Sequence, residues 1–168
     1  KGPFILACKH QSAWETIIFS VLLDDFQIVL KRQLMYIPFF GQYLKKLNSI
    51  VVDREAGAQA IKTLVHQSRE AIKNNRSILI FPEGTRSKPG EPGVYQPGIA
   101  ALYRDLNVPV LPVALNSGVF WGRRSPIKKP GVITLRFLEV IQPGLPRQEF
   151  TNQLQDRIET ACKSLPLF

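Results

Sequence analysis

The sequence is poor in cysteine, in methionine and in long apolar runs, and each shortage narrows what it can be. Its two cysteines, Cys8 and Cys162, stand at opposite ends without a C-x-x-C spacing, so neither a disulfide framework nor a zinc ribbon organises the chain. The low count favours a reducing compartment, although a single Cys8–Cys162 bond stays open. No apolar stretch reaches the roughly 18 residues of a spanning helix, and no charged-then-apolar leader opens the chain. The only methionine is Met35 and the first residue is Lys1, so a piece of a longer protein is expected, with any membrane anchor lying before Lys1. The two histidines, His10 and His66, lack a cluster of further ligands, and no metal is expected.

What the sequence has in excess is positive charge: 22 Lys and Arg against 13 Asp and Glu, a formal net charge of +9. Such a balance calls for an anionic partner or surface. Nucleic acid is not expected, because no RGG tract, zinc finger or similar signature accompanies the charge. Anionic lipid headgroups fit better, with a merely solvated basic surface as the bland alternative. An apolar share of 45% and a length of 168 residues indicate one folded domain with a real core.

Strands and helices alternate along the chain. Phe4–Cys8 reads as a buried strand, and Ala13, Trp14, Ile17, Ile18, Val21 and Leu22 follow at helical spacing. Residues 26–30 form a second strand, 38–46 a short amphipathic helix, 50–52 a third strand and 55–74 a long helix. Residues 77–81 give a fourth strand that stops at Pro82. The segment 87–97, with Pro89, Gly90, Pro92, Gly93 and Pro97, reads as a flexible loop. Pro97 can start a helix that ends near Asn107. Residues 108–115 make a strand whose Pro109 and Pro112 suggest an irregular or edge position. Residues 132–137 read as another strand, and Phe150, Leu154, Ile158 and Ala161 mark a closing helix. This alternation predicts an α/β domain, a mostly parallel central sheet flanked by helices.

The sharpest chemical signal is His10-Gln-Ser-Ala-Trp-Glu15, directly after the first strand. Open α/β sheets place their ligand crevices at such strand ends. Histidine is the side-chain type best suited to serve as a general base near neutral pH, and Glu15 in the first turn of a helix is placed to orient His10. No serine or cysteine has a nucleophile-elbow context, so direct attack by a substrate hydroxyl is the more natural chemistry. A competing reading is that Ser12-Ala-Trp-Glu15 is only a capping box. A second signal is Phe81-Pro-Glu-Gly-Thr-Arg-Ser87, again after a strand. There Gly84 frees the backbone while Thr85 and Arg86 can donate to a phosphate. Lys31 and Arg54 also follow strands, so both should converge with His10 and Arg86 on one sheet edge.

These residues resemble the 1-acyl-sn-glycerol-3-phosphate acyltransferase family, within the glycerolipid acyltransferases, over roughly residues 4–140. Its four ordered motifs match His10 with Glu15, Ser49–Arg54, Phe81–Ser87 and Val108–Val113. Glutamate at 15 departs from the aspartate usual there. The resemblance implies a glycerol-3-phosphate acyltransferase-like fold, and acyl transfer from acyl-CoA or acyl-acyl-carrier protein to the free hydroxyl of lysophosphatidic acid. It implies no cofactor beyond that co-substrate. His10 and Glu15 would be catalytic, while Lys31, Arg54, Glu83, Gly84, Thr85 and Arg86 would form the phosphate site, with Glu83 more an organiser of its motif than an acid or base. Val110 and Pro112 would line the acyl chain. The implied partners are lysophosphatidic acid, an acyl thioester, an acyl carrier protein and an anionic membrane surface. The implied place is the cytoplasmic face of the inner membrane. Two other readings stay open: the same chemistry on another acceptor, such as a lyso-ornithine lipid or a lysophospholipid, and a non-catalytic lipid-binding protein.

Overall fold

The computed structural model describes residues 2–166. Strands β1 (Ile5–Cys8), β2 (Phe26–Lys31), β3 (Ile50–Val52), β4 (Ser77–Ile80), β5 (Val110–Leu115) and β6 (Leu135–Phe137) form one sheet in the order β3-β2-β4-β1-β5-β6. All neighbouring pairs are parallel except β5 with β6. The helices are α1 (Trp14–Leu22), α2 (Phe40–Lys46), α3 (Ala58–Lys73), α4 (Pro97–Leu106), α5 (Ser117–Phe120) and α6 (Arg147–Lys163). None of the described helices is long and apolar enough to cross a membrane.

Alternation along the strands sorts the core into two halves, as period-2 side chains require. Ile5, Ala7, Ile78 and Ile80 point to one face, where Leu64, Ile99, Leu102, Phe150, Leu154 and Ile158 of α3, α4 and α6 cover them. Leu6, Cys8, Ile28, Leu30 and Leu79 point to the other, against Phe19 of α1 and Leu44 of α2. β1 is buried along its whole length, which is why it reads as a continuous apolar run. Both thiols are free, and burial raises that of Cys8 well above its ordinary value and that of Cys162 to about 11.

Three expectations change. β5 is not an edge strand, since β1 and β6 flank it. Pro112 is tolerated because its carbonyl, and hence its missing N–H, faces Leu138, just beyond the last residue of β6. There one extra residue bulges before Val110 and Ile141 exchange their two backbone bonds at 2.9 and 2.8 Å. The strand expected over 132–137 shortens to residues 135–137 and runs antiparallel. The segment 87–97 has no regular structure before Pro97 but is tied down. Ser87 N–H donates to the His10 carbonyl, Gln96 N–H to Pro82, and Lys9 Nζ to the Glu91 carbonyl.

The register also opens the sheet. β2 pairs with β4 only through Phe26–Ile28, then with β3 from Val29 onward, while β4 continues beside β1 as far as Ile80. The carboxyl ends of β2 and β4 therefore splay apart. The gap lies where connections leave the sheet in opposite directions, the place where such folds hold ligands.

Candidate active site

His10 follows β1 in the turn that leads into α1. Its Nδ1 lies 3.0 Å from Glu15 Oε1, and its ring stacks on Phe81 with centroids 4.0 Å apart and planes 16° apart. Glu15 is fully buried. Its Oε1 also accepts the backbone N–H groups of Gln11 at 2.6 Å and Ser12 at 2.7 Å, and its Oε2 accepts the Ser117 hydroxyl at 2.8 Å. The dyad and capping readings are thus not rivals, because one carboxylate closes the turn and holds the histidine. A carboxylate so surrounded by donors acts as an acceptor. The His10 proton is then on Nδ1, and Nε2 is left to accept another.

The backbone of His10 is fixed from a second direction. Its N–H donates to Glu83 Oε2 at 3.0 Å, while Glu83 Oε1 is 2.6 Å from Lys9 Nζ. Lys9, only 1% exposed, also reaches Glu159 of α6 at 2.8 Å. Burial alone would lower the Lys9 pKa, but its bonds to Glu159 and Glu83 outweigh that and raise it. Glu83 does not line the cavity described next, where the phosphate set was expected: the third motif's carboxylate is engaged by the His10 backbone and by Lys9.

The splay between β2 and β4 opens a cavity of about 690 Å³. His10 lines it, as do Lys31, Arg54, Gly84, Thr85 and Arg86, so the predicted convergence of these residues is present. The Arg54 guanidinium lies over Gly84, whose φ of +64° and missing Cβ leave it the room. Burial, then Arg54 and Arg123, lower the Lys31 pKa from its ordinary value. Among the described residues no carboxylate lines the cavity, so an entering anion would relieve this repulsion. Apolar walls extend on both faces of the sheet: Ile17, Leu34, Phe40 and Leu44 on the α1–α2 side, and Ala60, Ile61, Leu64 and Ile99 on the α3–α4 side.

Val110 and Pro112 do not line this cavity. They pair with Ile5 and Ala7 across β1, and β4 and β1 separate them from the splay. The structure therefore does not bring them together with the other predicted site residues. Sequence reasoning missed Lys9, Ser117, Glu159, Arg123 and Arg124. The Arg123-Arg124 pair was visible as a basic dipeptide, but the others carry no local signal.

A family model described as Acyltransferase matches residues 1–116. A 1-acyl-sn-glycerol-3-phosphate acyltransferase of Pseudomonas aeruginosa is 42% identical over 143 residues, 85% of this chain and 54% of its own length. One from Cocos nucifera is 27% identical over 156 residues, 92% of this chain and 51% of its own. The chain thus spans about half the length of these curated relatives. The crystal structure of the 1-acyl-sn-glycerophosphate (LPA) acyltransferase PlsC from Thermotoga maritima superposes with a TM-score of 0.79 at 20% identity, covering 97% of this chain and 66% of that one. It shares this fold.

Proposed function

The chain belongs to the acyltransferase family, and on that premise we propose that it acylates the free hydroxyl of 1-acyl-sn-glycerol-3-phosphate, giving phosphatidic acid. The acyl donor is a thioester, acyl-CoA or acyl-acyl-carrier protein. The observation that carries this reading is the opening of His10, held from behind by the buried Glu15, into the same cavity as Lys31, Arg54 and Arg86.

In this reading the three cations hold the acceptor phosphate, which fixes the hydroxyl beside His10 Nε2. His10 takes the hydroxyl proton as the oxygen attacks the thioester carbonyl carbon. Glu15 faces the imidazolium that forms and steadies it. When the tetrahedral intermediate collapses, the C–S bond breaks, and the leaving thiolate takes the proton back from His10. The carboxylate holds the ring and does not itself receive the proton. The apolar walls suit fatty acyl chains, and the basic surface suits work at an anionic membrane.

The test compares lysophosphatidic acid with the monoacylglycerol that lacks its phosphate, using wild type, His10→Ala and Arg86→Ala. His10→Ala should lose about 10²–10⁴-fold in turnover, the worth of a positioned base. Arg86→Ala should raise the KM for lysophosphatidic acid and leave that for the donor. Near-equal wild-type use of both acceptors would overturn the phosphate reading, and normal turnover by His10→Ala would overturn the mechanism.

A further inference from the structure

We propose that Arg123 and Arg124 form a second anion subsite, which takes the phosphate of the phosphopantetheine arm bearing the acyl thioester. The inference rests on the acyl-transfer reading above and extends it to the donor.

The charge count is the first argument. Five cationic side chains line the cavity, Lys31, Arg54, Arg86, Arg123 and Arg124, and among the described residues no carboxylate does. A phosphomonoester carries close to two negative charges near neutrality. Lys31, Arg54 and Arg86, from the strand ends and the loop after β4, already exceed that. Two further guanidinium groups, on exposed residues of the lining, would then have no counter-charge among the described residues of the cavity. A second phosphate resolves the excess, and acyl carriers supply one through the phosphopantetheine that holds the thioester.

The second argument is the position of the pair. Arg123 and Arg124 come from the segment after α5, on a different part of the chain from the three other cations. Arg123 Nη1 donates to the Arg86 carbonyl at 3.1 Å, which ties that segment to the rim of the first phosphate site. Arg124 is held at a φ of 57°, a left-handed conformation costly for a residue with a Cβ. Lys128, on the same segment, turns away to cover the Trp121 ring, with Nζ 4.8 Å from its centroid. The basic segment thus presents two selected residues to the cavity, not a uniform brush of charge.

The third argument is the division of the apolar walls between the two faces of the sheet. Acceptor and donor are both amphiphiles with one acyl chain and at least one phosphate. A cavity with two apolar walls and two groups of cations on one mouth matches two such molecules meeting at His10.

The experiment uses the full-length enzyme with Arg123→Gln, Arg124→Gln and the double variant. Four donors carry the same acyl chain: acyl-CoA, acyl-acyl-carrier protein, acyl-phosphopantetheine without the nucleotide, and acyl-pantetheine without any phosphate. In the double variant, KM should rise about tenfold or more for the three phosphorylated donors, as loss of charge-assisted phosphate contacts predicts. It should stay unchanged for acyl-pantetheine and for lysophosphatidic acid. An equal rise for acyl-pantetheine, or a rise mainly for lysophosphatidic acid, would overturn the subsite. So would a rise confined to acyl-CoA, which would assign the pair to nucleotide phosphates. Should the wild type transfer from none of the four donors, the acyl-transfer reading itself fails, whatever the arginines do.

Discussion

Replacing Glu15 with glutamine separates charge from shape at the heart of the site. The Glu15 carboxylate receives four hydrogen bonds, from His10, Gln11, Ser12 and Ser117, at 2.6–3.0 Å. A glutamine oxygen in place of Oε1 can accept the first three. Its amide NH₂ in place of Oε2 can donate to Ser117 Oγ, whose hydroxyl needs only to rotate. Removing a fully buried charge also removes its desolvation cost. The fold should therefore lose no more than about 2 kcal/mol, the difference between charged and neutral acceptors being partly offset. The rate should suffer far more. A carboxylate about 4 Å from the imidazolium charge is worth about 4 kcal/mol at an effective dielectric of about 20. That corresponds to roughly 10³-fold in turnover. Aspartate keeps the charge but is one methylene short, so it must release a turn N–H to keep His10. Each orphaned N–H costs about 1–3 kcal/mol, and Glu15→Asp should be less stable than Glu15→Gln yet faster. Steady-state kinetics and thermal unfolding of both variants check this. A glutamine variant within about threefold of wild-type turnover, a gap of under 1 kcal/mol, would refute the role given to the charge.

Lys9→Met strands the buried carboxylate of Glu83 and should cost about 3–5 kcal/mol, with Glu83→Gln in the same background recovering part of it; equilibrium unfolding measures both. Because Lys9 is raised in the folded state, its stabilisation is complete below the unfolded lysine value of about 10.4 and is lost as pH climbs through the folded one. A stability–pH curve in which Lys9→Met declines as steeply as wild type there would contradict this. Gly84→Ala would push a Cβ into the Arg54 guanidinium and should raise the KM for lysophosphatidic acid with little change in that for the donor, read from initial rates. The +9 charge should bind residues 1–168 to anionic liposomes at low salt and release them near 1 M, where the Debye length is about 3 Å. Equal, salt-insensitive flotation with neutral liposomes would instead implicate the exposed Val21, Tyr36, Ile37 and Phe39.

Most of the fold was legible because its signals are local. The buried run of β1, the helical stripe of α3 and Pro97 at the start of α4 each follow from residues within a few positions of one another. The third motif and His10 were legible for the same reason, each being a short segment directly after a strand. Where sequence reasoning went astray, the deciding fact was a pairing. Pro109 and Pro112 suggested an irregular or edge strand; the strand is interior, and its irregularity is a bulge in the partner strand that lets a proline sit inside the sheet. The family resemblance implied an acyl-chain role for Val110 and Pro112, yet both stand outside the cavity. Their distance from the cavity depends on β4 and β1 standing between, an order no single segment encodes.

The cavity has the same origin. It exists because β2 leaves β4 after Ile28 and joins β3 at Val29, and nothing in Gln27-Ile28-Val29 distinguishes a residue that keeps its partner from one that changes it. Once the strands part, residues far apart in sequence share one mouth: Lys31, Arg54, Arg86 and Arg123. The support beneath His10 is just as remote, for Glu159 lies 150 positions from the Lys9 it holds. A buried lysine next to His10 looks in sequence like any surface lysine, and only its partners reveal that it is not. Local pattern thus names the candidate groups, while the long-range pairings decide which of them share a cavity and how rigidly they are held.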